Sequence, residues 1–182
     1  MPILAFSYAN PILRRGWSGA ARALADAGAD GILVPDLPIE EGEPLRSAAL
    51  EAGLAPIFFV TPTTSDARVR RAAEASRGFL YVIGRTGITG ARTELSQEAD
   101  EFLAHVRGLS PVPLGVGFGI GSADQVAAVA RHARLAIVGT ALVQHLHEAA
   151  HEAEQRAADP DAAAAGAALM FVRALSEGTR VG

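Results

Sequence analysis

Short apolar runs alternate along the chain with longer stretches in which apolar residues recur at helical spacing. Runs rich in β-branched and aromatic residues are typical of buried strands, whereas a period of about 3.6 residues is typical of helices that cover a sheet. The pattern therefore predicts an alternation of strands and helices. The predicted strands are Ile3–Ser7, Ile32–Val34, Pro56–Val60, Phe79–Ile83, Leu114–Phe118 and Ala136–Gly139.

The helices predicted between and after these strands are rich in alanine, arginine and glutamate. Strands that alternate with helices indicate parallel strands joined by helical crossovers, and thus an α/β fold. Because no linker or shift in composition divides the chain, we expect residues 1–182 to form a single domain. The predicted helices are Ser18–Ala27, Glu41–Ala52, Asp66–Ala75, Gln97–Gly108, Ala123–Arg131, Ala141–Gln155 and Pro160–Glu177.

Glycines cluster where predicted strands end and helices begin. Elements in this order can form an open doubly wound sheet or part of a (β/α)8 barrel. Barrel enzymes build their sites at these strand ends and commonly bind phosphate after the last two strands. The glycines therefore favour the barrel; they are Gly84, Gly87 and Gly90, then Gly115, Gly117, Gly119 and Gly121, then Gly139.

The last two strand ends combine glycine with hydroxyl groups. In Gly115–Ser122, glycines would let backbone amides approach an anion, and the helix start that follows adds favourable dipole charge. Val138–Ala141 repeats the arrangement, with Thr140 as a hydroxyl donor, a helix cap or both. Either segment alone could be a tight turn that binds nothing, whereas the two together predict a phosphate site.

A mobile lid is predicted between the fourth strand and the helix after it. The segment Gly84–Arg92 contains three glycines, two hydroxyl side chains and two arginines, which suit a loop that closes over substrate. A solvated loop without such a role is the alternative. Tyr81, in the strand just before this segment, could line the site or pack in the core.

Composition narrows the chemistry that the chain can perform. It contains no cysteine and no lysine, and its formal net charge is -4. Disulfides, thiolate chemistry and a lysine Schiff base are therefore excluded, and nothing indicates nucleic-acid binding. Since no basic stretch precedes the apolar N-terminal residues and no apolar run is long enough for a membrane span, we expect a cytoplasmic protein.

Two polar groups have less direct interpretations. Asp36 follows the second predicted strand, where it could be a catalytic acid or could fix a loop at an interface. We favour the interface because Glu40 and Glu41 are typical of the first turn of a helix. Three histidines within His145–His151 have a helical spacing that metals can use, but a solvated helix face explains them better, and no metal is predicted.

In their order and spacing, these motifs resemble the α subunit of tryptophan synthase from its third barrel strand onward. Segments at the two phosphate-type strand ends recur in other barrels, whereas Asp36–Glu41 and Tyr81–Gly90 are more discriminating. The resemblance implies a (β/α)8 TIM barrel of which the chain holds about six of eight β/α units. The matching segments are Leu4–Asn10, Asp36–Glu41, Ala55–Phe58, Tyr81–Gly90, Gly117–Ile120 and Gly139–Ala141.

The resemblance also implies an activity and partners. The family's α subunit is a lyase of tryptophan biosynthesis that cleaves indole-3-glycerol phosphate to indole and glyceraldehyde 3-phosphate, without metal or Schiff base. The β subunit that receives the indole carries pyridoxal phosphate, and the two subunits form an α2β2 complex. The implied partners are therefore this substrate and the β subunit, and the chain itself would hold no cofactor. Neither nucleic acid nor a membrane is implied.

Individual residues match functional positions of the family. The matches are phosphate-binding positions at Gly90, Gly119, Gly139 and Thr140, pocket-lining positions at Tyr81 and Phe118, lid positions at Arg85, Thr86, Gly87 and Thr89, and positions facing the β subunit at Tyr8, Asn10 and Asp36. Thr140 stands where the family often has serine, and the hydroxyl is kept.

The family's catalytic pair is not matched. The proton donor and acceptor is a glutamate at the second barrel strand, and an aspartate in the next loop accepts a hydrogen bond from the indole nitrogen. Both positions precede the stretch that the chain resembles, so no catalytic residue is assigned among its 182 residues. A complete barrel typically needs about 250 residues, and two further units of about 30 residues or more supply the difference. We therefore expect cleavage by this chain alone to be severely impaired.

Two other functions fit parts of the pattern. The chain could be a non-catalytic partner that binds the β subunit, which the retained interface-like segments favour. It could also be another phosphate-binding barrel enzyme, such as an isomerase or one of the phosphoribosyl-anthranilate type. Tyr81–Gly90 and Asp36–Glu41 count against that second alternative.

Overall fold

A computed structural model of the chain describes residues 1–84, 96–117 and 119–180. The chain divides into two compact units. Unit 1 contains Met1–Ile83 and His105–Leu114, and unit 2 contains Gly84–Ala104 and Gly115–Gly182. The single domain expected from the composition stays a prediction.

The first part of unit 1 is a three-stranded parallel sheet covered by helices. Ala5 lies opposite Ile32 and Ile32 lies opposite Pro56, which sets the register of the three strands. A 3-10 turn at Ile39–Glu41 follows the second strand. The elements are Leu4–Phe6 (β1), Ala9–Leu13 (α1), Trp17–Asp26 (α2), Gly31–Leu33 (β2), Glu43–Glu51 (α3) and Ala55–Ile57 (β3).

Alanines allow helices α2 and α3 to pack closely in this part of unit 1. Ala21 and Ala49 are fully buried, and so is Ile32 at the centre of β2. All three residues of β2 are buried, as expected for a parallel strand that is covered on both faces. This core positions the loop that follows β2, which contains Asp36.

The second part of unit 1 contains Phe59–Val60 (β4), Asp66–Ala75 (α4) and Leu80–Ile83 (β5). The sequence predicts one strand over Pro56–Val60, but the structure divides it at Phe58. The Phe58 N–H donates to the Ser76 hydroxyl at 3.0 Å, and that hydroxyl donates to the Ala72 carbonyl at 2.8 Å. Because the Phe58 amide donates to this buried serine instead of to a neighbouring strand, the regular strand pairing is interrupted at Phe58.

Unit 2 carries the last strands and helices. Helix Gln97–Leu109 (α5) and strand Leu114–Gly117 (β6) have residues in both units. Strand β6 pairs in parallel with the next strand, with Gly115 opposite Leu135. The remaining elements are Ala123–Ala130 (α6), Leu135–Ala136 (β7), Thr140–Gln155 (α7), Pro160–Glu177 (α8) and a final 3-10 turn at Gly178–Arg180.

The predicted helices agree closely with the structure. All begin and end within two residues of the prediction, and α4 and α8 have the predicted bounds. Helix α8 starts where Asp159 Oδ1 accepts from the amides of Asp161 and Ala162, beside Pro160 in the first turn. Even α8, with its 18 residues, does not reach the length and apolarity of a membrane span, and no other described helix does.

The final 3-10 turn packs tightly against α6 in unit 2. An ideal Cβ built on Gly178 would overlap the Ala123 carbonyl oxygen and would lie 3.1 Å from the Ala127 nitrogen. These obstacles are helix backbone rather than flexible side chains, so they cannot move aside at low cost. The contact therefore requires glycine.

We expect Gly178→Ala to lower the free energy of unfolding by about 2 kcal/mol, because the added methyl group forces the turn away from α6. Gly166→Ala in α8 is the matched control, since its ideal Cβ meets no described atom within 4 Å. It should raise stability by about 0.5–1 kcal/mol because alanine favours a helix. Urea unfolding followed by circular dichroism measures both; equal effects of the two changes would contradict the overlap.

Asp100 joins α5 to the end of α6 in unit 2. The Asp100 carboxylate lies 2.8 Å from His132 Nε2 and 3.2 Å from an Arg131 nitrogen. The hydrogen bond with His132, together with the charges of His132 and Arg131, lowers the Asp100 pKa below 3.8. The pair therefore stabilises the fold above the usual carboxyl pKa, and this contribution disappears as the pH falls through the lowered value.

We expect Asp100→Asn to make the stability of the protein depend less on pH below about pH 4, since the asparagine cannot be protonated there. Asp26→Asn, at the exposed end of α2, is the control and should leave that dependence unchanged. Thermal melts from about pH 2 to about pH 6, a range that brackets the usual carboxyl pKa of about 3.9 and extends well below it, provide the measurement. The same acid-side slope in both variants would argue against the pairing.

Candidate functional site

The loops that follow β6 and β7 lie against each other in unit 2. An ideal Cβ on Gly121 would be 3.4 Å from the Cβ of Ala141, an ordinary van der Waals contact. Parallel strands bring their carboxyl ends to the same edge, so the pairing of β6 with β7 explains the contact. The two strand ends that the sequence singles out therefore form one surface.

Gly119 is an exposed residue with a left-handed backbone, at φ +71°. Residues that have a Cβ rarely adopt this backbone conformation, which explains why glycine occupies this turn. The next residue, Ile120, is 1% exposed and anchors the loop in the core of unit 2. The turn thus presents backbone rather than side chain to solvent.

Side chains at the N-terminus of α6 cap the helix and accept hydrogen bonds from backbone amides there. Ser122 Oγ accepts from the Gln125 amide at 3.3 Å, and Gln125 Oε1 accepts from the Gly121 amide at 2.7 Å. In the usual capping box the glutamine side chain returns to the amide of the capping residue itself; here it reaches one residue earlier. The Gly121 amide is therefore occupied within the protein.

The start of α7 is open. Gly139 precedes it, and no side chain in the described part of the chain caps the helix. The first helical bond runs from the Val143 amide to the Gly139 carbonyl at 3.1 Å, so the amides of Thr140, Ala141 and Leu142 have no helical partner. An ideal Cβ on Gly139 would meet no described atom within 4 Å. Three amide donors without a helical partner, the exposed Thr140 and the positive end of the helix dipole thus lie together at this strand end, an arrangement that suits an anion.

The structure describes only some of the residues that the sequence nominates. Gly119, Gly139 and Thr140 all lie on the adjoining loops of unit 2, and Tyr81, Tyr8, Asn10 and Asp36 lie in unit 1. The other nominated residues fall outside the described ranges; they are the phosphate position Gly90, the pocket position Phe118 and the lid positions Arg85, Thr86, Gly87 and Thr89.

Tyr81 is a half-buried residue of β5. It lies opposite Phe59 in the register, and its ring centroid is 6.4 Å from that of Phe79. Burial raises the pKa of its phenol above 10.0. The hydroxyl therefore keeps its proton at neutral pH and is available as a hydrogen-bond donor.

A side-chain hydrogen bond ties the two interface-like segments of unit 1 together. Asp36 Oδ1 accepts from the Ala9 amide at 2.8 Å. This bond fixes the start of α1, where Tyr8 is 63% exposed and Asn10 is also exposed. Asp36 thus holds the loop after β2 to the start of α1. That this loop lies at an interface, as the sequence favours, stays a prediction.

The predictions from the sequence do not include a cavity of about 260 Å³ beside Asp36 that has a mixed polar and apolar lining. The cavity is lined by the loops after β2 and β4, among them Thr61 and Thr64, and by Arg68 of α4. Arg68 forms a two-point ion pair with Glu40, with distances of 2.8 and 2.9 Å. The Glu40 backbone amide and Arg68 lower the pKa of this carboxyl. The signal in the sequence is the run of hydroxyl residues that follows β4.

The histidines of α7 do not converge on one point. His145 stacks on Phe171 with ring centroids 4.2 Å apart, whereas His147 faces His151 at 6.4 Å. Across the described ranges, no three histidine, cysteine, aspartate or glutamate side chains come together in a way that would hold a metal ion. Nor does the chain contain the lysine on which pyridoxal phosphate would form a Schiff base.

Comparison with known proteins relates this arrangement to one family. A sequence model of the family "Tryptophan synthase alpha chain" matches residues 1–169. The tryptophan synthase alpha chain of Roseiflexus castenholzii is 48% identical over 147 residues, which are 81% of this chain and 56% of that protein. The one from Shouchella clausii is 43% identical over 159 residues, or 86% and 59% respectively. The chain thus spans little more than half the length of these relatives.

Solved structures show the same similarity. The tryptophan synthase a2b2 complex from Pyrococcus furiosus matches with a TM-score of 0.84 and 29% identity, over 96% of this chain and 66% of that one. Tryptophan synthase from Mycobacterium tuberculosis matches with a TM-score of 0.81 and 36% identity, over 100% and 63%. These matches confirm the α/β fold of the TIM-barrel type that the sequence predicts. From its fold and from the match over residues 1–169, the chain belongs to the tryptophan synthase alpha chain family.

Proposed function

We propose that the chain provides the phosphate-binding part of an indole-3-glycerol-phosphate lyase of tryptophan biosynthesis. The observation that carries this proposal is the uncapped start of α7 beside the loop that contains Gly119. Both lie within the stretch that matches the family. An anion with several oxygen atoms can accept hydrogen bonds from the amides of a helix start and from a nearby hydroxyl at the same time.

The substrate phosphate would lie at the start of α7. The amides of Thr140, Ala141 and Leu142 donate to its oxygens, and the Thr140 hydroxyl adds a further donor. Gly139 leaves space for the phosphate because no Cβ projects from it. Gly119 allows the neighbouring loop to approach with its backbone. From the resemblance we assign Gly90 to the same phosphate and Tyr81 and Phe118 to the pocket around the indole.

The cleavage itself is retro-aldol chemistry. A proton is delivered to the indole ring carbon while the carbon–carbon bond to the glycerol phosphate breaks, and a hydroxyl of the leaving part loses its proton. In the proposal these transfers belong to the family's glutamate and aspartate, whose positions the 182 residues do not match. From the resemblance we assign Arg85, Thr86, Gly87 and Thr89 to a lid, which would exclude water from the site. This chain therefore binds and orients the substrate, and alone it turns over little or none of it.

We expect Thr140→Val to weaken the binding of glycerol 3-phosphate on the order of tenfold or more, because a hydrogen bond to a charged group is lost while the side-chain shape is kept. Isothermal titration calorimetry of the 182-residue chain measures the affinity. Thr63→Val, at an exposed threonine of unit 1, is the matched control and should bind as the unchanged chain does. Equal affinities of all three proteins would remove Thr140 from the site.

We also propose that unit 1 contacts a tryptophan synthase β subunit, the partner that would carry pyridoxal phosphate. The support is the Asp36 bond to the Ala9 amide, which holds the exposed Tyr8 and Asn10 next to the loop after β2. The relative from Pyrococcus furiosus is described as an a2b2 complex. An interface that can form without catalysis would also let the chain act as a non-catalytic partner of the β subunit.

We expect Asp36→Ala to weaken binding to the Pyrococcus furiosus β subunit on the order of tenfold, since the segment that contains Tyr8 loses its fixed start. Surface plasmon resonance with immobilised β subunit provides the measurement. Asp26→Ala, on the exposed end of α2, is the control and should bind unchanged. Binding that is the same for both variants would separate Asp36 from the interface.

A further inference from the structure

Two histidines of α7 lie on the same exposed face of the helix. His147 and His151 are four residues apart, so their side chains project one above the other. Both residues are exposed, their ring centroids are 6.4 Å apart and the ring planes differ by 10°. The two imidazoles are therefore placed so that one small ligand can contact both.

His145 belongs to a different face of the helix. It lies two residues before His147, which places it about 200° around the helix axis. Its ring stacks on Phe171 of α8 with centroids 4.2 Å apart, and its Nδ1 lies 2.8 Å from the Ala141 carbonyl oxygen. In the sequence the three histidines form one group, whereas the structure separates His145 from the other two.

The two histidines outside α7 have carboxylate partners. His105 Nε2 lies 2.9 Å from Asp66, and His132 Nε2 lies 2.8 Å from Asp100. Each of these places offers a single imidazole whose nitrogen is already hydrogen-bonded to a carboxylate. Of the five histidines in the chain, His147 and His151 are the two whose rings face each other.

Two imidazoles one helical turn apart can chelate a metal ion. Zinc lies about 2.0–2.1 Å from a histidine nitrogen, so two nitrogens on one tetrahedral ion are about 3.3 Å apart. Rotation about the side-chain bonds of the two exposed histidines can bring their nitrogens to this spacing. Once one imidazole holds the ion, the second bond forms within the same molecule, which raises the affinity well above that of a single histidine.

The state of His151 suits metal coordination. The side-chain amide nitrogen of Gln155 lies 3.0 Å from His151 Nε2. An amide nitrogen can only donate, so Nε2 accepts this hydrogen bond and carries a lone pair. A neutral imidazole with such a lone pair is the form that ligates metals. Gln155 is exposed at the end of α7, and its side chain can turn away from the ring.

The charges next to the pair are negative. Helix α7 contains three glutamates and neither arginine nor lysine, and Glu148 and Glu152 directly follow the two histidines. Glu152 lies 3.5 Å from Arg156, but both side chains are well exposed, so this ion pair is weak. A surface with this charge attracts cations.

We propose that His147 and His151 bind one divalent metal ion of the class that prefers imidazole ligands, namely Cu²⁺, Ni²⁺ or Zn²⁺. The two imidazole nitrogens occupy two coordination positions, and water occupies the others. The site is independent of the proposed phosphate site, because seven residues, or about 10 Å of helix, separate Thr140 from His147.

The segment His147–His151 also has the spacing H-E-x-x-H that is found in zinc peptidases. Catalytic zinc in proteins is held by three protein ligands. Within the described residues no third histidine, cysteine, aspartate or glutamate completes such a set, and the pair lies on an exposed helix face. These observations favour metal binding without peptide hydrolysis.

The first experiment is isothermal titration calorimetry of the untagged 182-residue chain with Ni²⁺ at about pH 8, where free imidazole is neutral. We expect one ion per chain. His147→Ala and His151→Ala should each weaken binding on the order of tenfold or more, because a single imidazole remains. His145→Ala removes a histidine from the same helix but not from the pair, so it is the matched control and should bind as the unchanged chain does.

The identity of the metal provides an independent measurement. Imidazole sites bind Cu²⁺ more tightly than Ni²⁺, whereas Mg²⁺ prefers oxygen ligands. We therefore expect Cu²⁺ to displace Ni²⁺ and excess Mg²⁺ to leave Ni²⁺ binding unchanged. Displacement by Mg²⁺ would make the glutamates the ligands and would overturn the proposal.

A relocated histidine tests the spacing. The double change His151→Ala with Gln155→His keeps five histidines and the charge of the helix, but it moves the second ring eight residues from His147. Nitrogens about 12 Å apart along the helix cannot share one ion, so this variant should bind Ni²⁺ as weakly as His151→Ala. Circular dichroism checks that all variants are folded, which is expected because the exchanged residues are exposed.

Thermal melts give a second readout of the same site. An ion that joins successive turns binds the folded helix better than the unfolded chain, so Ni²⁺ should raise the melting temperature of the unchanged chain and of His145→Ala but not of His147→Ala. The proposal is overturned if the unchanged chain binds no Ni²⁺, or if it binds no more tightly than the two single-histidine variants. Glycerol 3-phosphate should bind equally to His147→Ala and to the unchanged chain, so failure of this proposal and failure of the proposed function are separate results.

Discussion

Parallel pairing of short strands is the constraint on which the rest of the structure depends. A parallel strand needs cover on both faces and a long connection to its neighbour, so helices must alternate with strands. The buried residues follow from this requirement: Ile32, Val82 and Val116 are completely buried inside their strands. The same constraint brings consecutive strand ends together, which is why the loops after β6 and β7 touch. Fold and site thus have a common cause.

The helices could be predicted because their signals are local. An apolar period, a capping residue and a glycine or proline at the boundary all lie within a few positions of each other, as at Asp159 and Pro160 before α8. Helix α1 could not be predicted, because its five residues, which include Pro11, are too few to show a helical period of apolar positions. The break between β3 and β4 at Phe58 could not be predicted either, because its cause is Ser76, which lies 18 positions further along the chain. Contacts between distant residues leave no periodic signal.

The candidate site could be predicted to a similar extent. Glycine and threonine at two successive strand ends indicate where an anion would bind. This signal is visible in the sequence because the residues that produce it are close neighbours in the chain. Which amides are available could not be read from the sequence, because that depends on side-chain geometry: Gln125 occupies the Gly121 amide, whereas nothing described caps α7. The cavity beside Asp36 is also formed by distant residues: Arg68 lines it and pairs with Glu40, 28 residues away.

The missing cap of α7 has a consequence for the energetics of the chain. A good side-chain cap stabilises a helix by about 1 kcal/mol, and α7 begins without one. An anion bound there would accept the hydrogen bonds that a capping side chain otherwise accepts. Its binding free energy would then add to the stability of the helix. Helix α7 packs along α8, whose contacts extend to α6. The proposed anion site would therefore link ligand concentration to the stability of these three helices: an anion bound at the start of α7 would stabilise the C-terminal part of the fold by mass action.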